Sequence, residues 1–360
     1  MKTNNIITTT LAAAILLTLG SGCARINQGG GFSTVPLSFR SYTTRPLVKS
    51  DPTILGPGEL PDGSRFGVFA FYQQGVVGSS TAHWGNGGAR SSWSPNFMFN
   101  QAVDFDGSDY DYSPLRYWPS NEENTISFWA YYPYSLYSAG NTGALKFYAS
   151  DGTTPYTAAS TGLPVVKYTV PQDPAQQVDI LFDSFANVDK TYGNCLEPGV
   201  VPITLRHALC LVEFRLREGT GATINSMSLT GLKWSGTCTD PGARSWTDQT
   251  DASPIEYHDL SLDGTLIMRM LMMPQSLAGV ELSINYDIVF ESSAPSVYPD
   301  PIVYSGNVGS AALTTSGITS LVAGQHYIFT INAGFERIEF EEAVADGEDW
   351  TSAGADIELH

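Results

Sequence analysis

Cys210-Leu211-Val212-Glu213-Phe214-Arg215-Leu216-Arg217 is the stretch whose reading decides the fold class. Cys210, Val212, Phe214 and Leu216 alternate with Leu211, Glu213, Arg215 and Arg217, and a period of two places the two sets on opposite faces of a pleated strand. The pattern returns at Leu282, Ile284, Tyr286, Ile288 and Phe290, set between Ser283, Asn285, Asp287 and Val289. It also occurs near the start of the chain, where Val35, Leu37 and Phe39 alternate with Pro36, Ser38 and Arg40. Each run predicts a strand with one buried and one wetted face.

Composition agrees with these runs. Gly (35) and Pro (21) are plentiful, Tyr (18) and Phe (17) are numerous, and only 15% of residues are charged, which favours many strands joined by turns. Helical spacing stands out once, at Val178, Leu181, Phe182 and Phe185, where Asp179 and Asp183 fit a short strand and turn equally well. The Gly, Pro, Ser, Asn and Asp clusters Asp51 to Gly63, Gly85 to Pro95, Gly236 to Pro254 and Ser292 to Pro301 read as long surface loops. Length suggests about two domains. The break at Gly193 to Gly199 separates an aromatic-rich first half from a strongly alternating second half, so the expected units are 33–197 and 198–360, each a β-sandwich.

The N-terminus carries Lys2, the apolar run Ile6 to Leu19, and then Gly20, Ser21, Gly22 and Cys23. That run is too short to span a bilayer, and it has the build of a secretory signal over residues 1–22. A Cys after small residues at its end resembles a bacterial lipobox, with cleavage before Cys23, lipid on its thiol and a linker over 23–32. No later segment approaches the roughly 18 apolar residues of a membrane helix, so lipid is the expected anchor. After Cys23 only Cys195, Cys210 and Cys238 remain, which allows at most one intrachain disulfide. With 36 acidic against 18 basic residues, the net charge of -18 argues against nucleic acid or an anionic membrane surface as a partner.

Catalytic signatures are missing. There is no G-x-S-x-G, Walker loop, H-E-x-x-H or C-x-x-C, so no enzyme activity, metal or cofactor is expected. His83, His207, His258, His326 and His360 are dispersed without ligand spacing. Asp104, Asp106, Asp109 and Asp111 have the acid density of a calcium loop, but Gly107 falls too early and no Glu follows at the right distance; an ordinary acidic turn is the preferred reading. The aromatic runs Phe66 to Tyr72 and Phe128 to Tyr137 could offer rings to a sugar, yet the interleaved Val68, Ala70 and Ala130 fit strands buried on both sides.

Several segments in order resemble the fimbrillin-like (Mfa-like) lipoproteins of the Bacteroidetes, which are pilus subunits. They are the lipobox Cys23, Val35 to Arg40 with Thr43-Thr44-Arg45, Phe66 to Tyr72, Phe97 to Gln101, Tyr117-Trp118-Pro119 and Ile126 to Pro133. The second half adds Ile203 to Leu209, Met273-Pro274-Gln275, Tyr327 to Ile331, Ile338-Glu339-Phe340 and Trp350. The resemblance implies an all-β chain of two tandem transthyretin-like β-sandwich domains. It also implies assembly by strand donation, in which an arginine-specific protease removes the first strand and a neighbour's strand fills the groove. Arg45 is the matching cleavage position, with Arg40 and Arg65 as alternatives. Pro46 follows Arg45 and makes a poor bond for trypsin-like proteases, and an uncleaved subunit suits an anchor or accessory role.

The expected function is a non-enzymatic structural or adhesive subunit of a fimbria-like assembly, with other pilus subunits and the outer membrane as partners. The alternative is an outer-membrane lipoprotein that binds host or bacterial glycans or proteins through exposed aromatics such as Trp84 or Trp93. Ala24, Arg25, Ile26 and Asn27 follow Cys23 where surface-exposed lipoproteins of this phylum often carry acidic residues, so outer-membrane attachment is the firmer expectation than display on its outer face.

Overall fold

The structure is a computed structural model describing residues 32–43, 60–74, 93–121, 124–188, 199–218, 221–250, 254–258, 260, 265–290, 302–333, 338–340 and 344–346. The first eleven strands are β1 (Phe32–Pro36), β2 (Ser38–Thr43), β3 (Arg65–Gln73), β4 (Met98–Phe105), β5 (Tyr110–Asp111), β6 (Tyr117–Pro119), β7 (Thr125–Tyr132), β8 (Lys146–Tyr148), β9 (Val165–Thr169), β10 (Leu181–Val188) and β11 (Val200–His207). Then follow β12 (Cys210–Leu216), β13 (Ala222–Thr230), β14 (Ser235–Asp240), β15 (Ser245–Thr250), β16 (Ile255–His258), β17 (Leu266–Met272), β18 (Glu281–Phe290), β19 (Ile302–Ala312), β20 (His326–Ala333), β21 (Ile338–Phe340) and β22 (Val344–Asp346). The protein is all-β, and its described helices are single 3₁₀ turns. The helical spacing at Val178 to Phe185 resolves as strand, with Leu181 and Phe182 in register opposite Tyr132 and Tyr131 of β7.

Seven strands form one sheet in the order β2-β11-β10-β7-β3-β4-β5. Its centre is the antiparallel pair β3–β7, where Phe66 to Tyr72 and Phe128 to Tyr131 are buried on both faces, as the interleaved small residues predict, while Tyr132 to Leu136 beyond them are partly exposed. One face carries Phe66, Val68, Ala70, Ile126, Phe128 and Ala130, packed with Leu37, Phe39 and Trp118. The sheet curls around this core until its two ends meet, where Ser41 Oγ of β2 lies 3.0 Å from Tyr110 Oη of β5. The other face presents Phe69, Trp129 and Tyr131 to Tyr137, Phe147 and Tyr156. Tyr131 lies over Gly67, its register partner, so closely that a Cβ there would sit 2.1 Å from the ring. Only Gly admits that ring position.

A four-stranded sheet, β8-β9-β14-β15, brings Phe147 and Val166 to that second face. Two of its strands occupy Gly236 to Pro254, which composition had marked as a surface loop. The segment is strand because the period-two set Leu232, Trp234, Gly236 and Cys238 is buried, and half of that set is too small to give a hydrophobic pattern. Trp246 and Met273 close over Gly236. Strand pairing also runs across position 197/198, since β11 lies in the seven-stranded sheet between β2 and β10, and β14 pairs with β9.

The remaining strands form the sheets β17-β12-β20-β21, with β22 on β20, and β16-β13-β18-β19. Leu282, Ile284, Tyr286 and Ile288 are buried as their alternation predicts, and they share a core with Phe214, Phe329 and Ile331. The deciding strand β12 departs from its expected wet face, because Leu211 and Glu213 are as fully buried as Val212 and Phe214. β12 is a central strand between antiparallel β17 and parallel β20, so no edge of it meets water. Beside it, the Gln177 amide donates to Leu271 O at 3.1 Å and its Oε1 accepts the Leu271 N–H, replacing a ladder partner at the edge of β17.

Glu213 is tolerated because its oxygens are satisfied. Arg269 Nε donates to Oε1 and Arg215 Nε to Oε2, at 2.7 and 2.9 Å, and His326 Nε2 lies 3.4 Å from Oε1. Burial alone would raise the Glu213 carboxyl pKa, but His326, Arg269 and Arg215 outweigh it and hold the value at about 2, against an ordinary 4.5. A depressed acid stabilises the fold fully above pH 4.5 and loses that contribution as pH falls through 2. Glu213→Gln leaves two guanidinium groups short of a counter-charge, so it should cost about 3 kcal/mol at pH 7 by denaturant unfolding. That difference should shrink below pH 4.5 and be nearly gone at pH 2.

Candidate functional site

At one edge of the seven-stranded sheet a strand from the start of the chain is laid beside β11. β2 runs parallel to β11, with Ser38 opposite Val200 and Thr43 opposite Leu205. A parallel neighbour needs a long crossover connection, so β2 is held by this edge and by side chains, not by a hairpin. The run Val35 to Ser41 is broken at Leu37, because β1 leaves the large sheet to pair with β6. The expected inward set is confirmed nonetheless: Leu37 and Phe39 are buried and Val35 is half-buried.

Phe39 anchors the strand, its ring meeting those of Phe66, Tyr112 and Phe128 edge-on at centroid distances of 6.2, 5.5 and 5.9 Å. Around the break the Leu37 N–H and C=O and the Ser38 N–H find partners. Leu37 N–H donates to Arg116 O at 2.9 Å, and Tyr112 Oη donates to Leu37 O at 2.7 Å. Burial pushes the Tyr112 hydroxyl up to about 12, which keeps it a donor. Gly199 O accepts from Ser38 N–H at 3.1 Å and from Trp118 Nε1 at 2.9 Å. With φ at +91°, and Pro36 O and Val35 Cγ1 both 3.0 Å from where a Cβ would stand, Gly199 is the only residue type that fits there without strain.

Tyr112, Trp118 and Gly199 escaped the sequence reading as a group, since chain order separates them and none has a motif. Of the expected site residues, Cys23 and Arg45 lie outside the described residues, as do Pro46, Trp84 and Cys195. Arg40 stands inside β2 opposite Pro202, and Arg65 opens β3 and pairs with Asp104 on the surface. Trp93 is half-buried against the core. Cys210 and Cys238 are buried free thiols. The acidic segment at 104–111 is the turn between β4 and β5, where Asp106 Oδ1 accepts the N–H groups of Ser108 and Asp109. Among the described residues no cluster of His, Cys, Asp and Glu is arranged to hold a metal ion.

The sequence model of the Fimbrillin-like family matches residues 58–347, most of the chain. The chain belongs to the fimbrillin-like family. Its similarity to the fimbrium subunit Fim1C of Phocaeicola vulgatus is 32% identity over 75 residues, which is 21% of this chain and 17% of that protein's length. Among solved structures, a fimbrial protein from Bacteroides vulgatus is similar, with a TM-score of 0.58 at 16% identity, covering 88% of this chain and 99% of the other. A cell adhesion protein from Bacteroides uniformis has a TM-score of 0.48 at 17% identity over the same shares. Strands β1 and β2 of this fimbrillin-like chain precede the family match, so their role rests on the geometry described above.

Phe39→Ala should lower stability by about 3–5 kcal/mol, the range for deleting a buried ring, and Tyr112→Phe by about 1–2 kcal/mol through the orphaned Leu37 carbonyl. Denaturant unfolding at neutral pH measures both.

Proposed function

We propose that this chain is a non-enzymatic subunit of a fimbria at the cell surface, lipid-anchored to the outer membrane through Cys23, in which β2 acts as a built-in plug of the acceptor edge. The observation that carries the reading is the way β2 is held: a parallel edge strand from the start of the chain, inserting Leu37 and Phe39 into the core of the curled sheet. Without it, β11 would present an unpaired ladder edge above an apolar slot, and a strand from another subunit could satisfy both. Such assembly needs pairing groups and no catalytic residue. Other pilus subunits are therefore the proposed partners.

In this reading the two transthyretin-like units are residues 33–197 and 198–360, with the β2–β11 and β9–β14 pairings running across their boundary. Membership of the fimbrillin-like family over residues 58–347 supports the fimbrial assignment. Arg45 is the proposed maturation position. Because Pro46 follows it, we assign the uncleaved, plugged form to an anchor or accessory place in the fimbria.

Two experiments test this. Deleting residues 24–45 should lower the melting temperature and produce oligomers, because burial of Leu37 and Phe39 is worth on the order of 5 kcal/mol. A synthetic peptide of Val35 to Ser41 should reverse both effects, and a truncated protein that stays monomeric and equally stable would refute the plug. For the anchor, Cys23→Ser should move the protein from the membrane fraction to the soluble one, and continued membrane association of that variant would sink the lipid assignment.

A further inference from the structure

Strand β4 carries one residue more than the stretch of β3 it pairs with. Gln101 is in register with Val68 and Met98 with Ala70, so Phe99 and Asn100 together stand opposite Phe69, a β-bulge in which Asn100 takes the left-handed conformation at φ +47°. Both side chains reach the Phe69 face of the sheet. The Phe99 ring lies 5.3 Å from that of Phe69, and Asn100 Oδ1 accepts the Tyr131 hydroxyl at 2.6 Å. Farther along the same face Ala102 is opposite Gly67, Asp104 is opposite Arg65, and Asp111 of β5 is opposite Asp104. The Tyr131 ring lies over Gly67, and Ala102 beside it adds only a methyl group, so the face dips between Phe99 and Asp104. This margin of the sheet is open to solvent: Phe99 is 37% exposed, the side chains of Arg65 and Asp104 are 54% and 50% exposed, and Asp111 is exposed. Arg65 Nε donates to Asp104 Oδ1, which leaves both Arg65 Nη groups and Asp104 Oδ2 without a hydrogen-bond partner among the described residues.

We propose that this margin of β3, β4 and β5 is a binding site for a neutral saccharide. Phe99 offers apolar ring surface to pyranose C–H groups, and the groups beside it have the donor and acceptor types that sugar hydroxyls use: the Arg65 Nη donors, the Asp104 and Asp111 acceptors and the Asn100 amide. Asp104 and Asp111 are like charges directly opposite one another, an arrangement that costs stability. Hydroxyl groups donating to both carboxylates would offset that cost. Charged ligands fit less well. Two carboxylates against one guanidinium, in a chain of net charge -18, disfavour an anionic sugar, and Arg65 in the same row opposes a cation. The bulge also explains why the place has no motif in the sequence, since Phe99 and Asn100 share a face only because the strand slips by one residue there. The inference depends on neither the β2 plug nor the lipid anchor.

The test applies the full-length chain to a printed array of acidic oligosaccharides and of neutral ones built from glucose, galactose, mannose, fucose and N-acetylhexosamines. Titration calorimetry then follows the neutral oligosaccharide that gives the strongest signal. Binding should change little from low to high salt, as an uncharged ligand requires. Asp104→Asn and Asp111→Asn should each lower the affinity about tenfold, the loss expected for one hydrogen bond to a charged group, and Phe99→Ala should lower it at least as much. Asp111→Asn removes a like-charge contact at an exposed position, so its unfolding midpoint should hold or rise while its affinity falls, which separates lost binding from lost folding. If no neutral oligosaccharide is bound, or if all three variants bind as the unchanged chain does, the site is refuted. Binding confined to acidic oligosaccharides, or abolished by high salt, overturns the assignment to a neutral sugar and the proposal with it.

Discussion

The pairing of β3 with β7 is the contact on which the rest of the structure depends, because neither face of that pair can be left in water. Phe69 and Trp129, in register and 5.3 Å apart, form one face with Tyr131; Val68, Ala70, Phe128 and Ala130 form the other. A sheet with two apolar faces requires two covers. On one side the sheet covers itself by curling until β2 and β5 meet, with β1 and β6 across the opening. On the other, β8-β9-β14-β15 places Phe147 among the rings of Trp129, Tyr131 and Tyr137 at 5.3, 4.9 and 4.3 Å. Strands from distant parts of the chain are recruited because the burial demand is local while the available cover is not.

The same demand explains the importance of β2. Closing the curled sheet needs an edge strand that contributes apolar side chains inward and pairs on one side, and in this chain that strand comes from the N-terminus. An antiparallel hairpin partner would be tied to β11 by a short turn and would be hard to replace. A parallel strand lacks that tie, so its hold is the sum of its ladder, Phe39, Leu37 and the Tyr112 and Gly199 hydrogen bonds around the break. The hold on the first strand thus depends on its topology as much as on its sequence.

Buried titratable side chains mark the other places where packing overrode local pattern. Besides Glu213, His207 Nδ1 lies 2.7 Å from Asp179 Oδ2 with both side chains excluded from solvent. Neighbouring Asp183 accepts the Thr204 N–H at 2.7 Å, and burial raises its carboxyl to about 6. These groups are compensated within the fold and sit among packed strands, so they read as structural rather than chemical.

From sequence alone came the properties that depend on near neighbours along the chain: the all-β class, the strands at 210–216 and 282–290, the inward set of Leu37 and Phe39, the double burial of β3 and most of β7, and the family they resemble. Period-two patterning is a local signal, and each of these strands turns the predicted side chains inward. Only the tertiary structure decided which strands are neighbours, that Leu211 and Glu213 of β12 are buried, that Gly236 and Cys238 belong to a buried strand, and that Tyr112, Trp118 and Gly199 converge on the break between β1 and β2. The physical reason is that burial of a polar or small residue is a property of what packs against it. In a fold whose sheets join strands far apart in the chain, that neighbour is not written in the surrounding sequence.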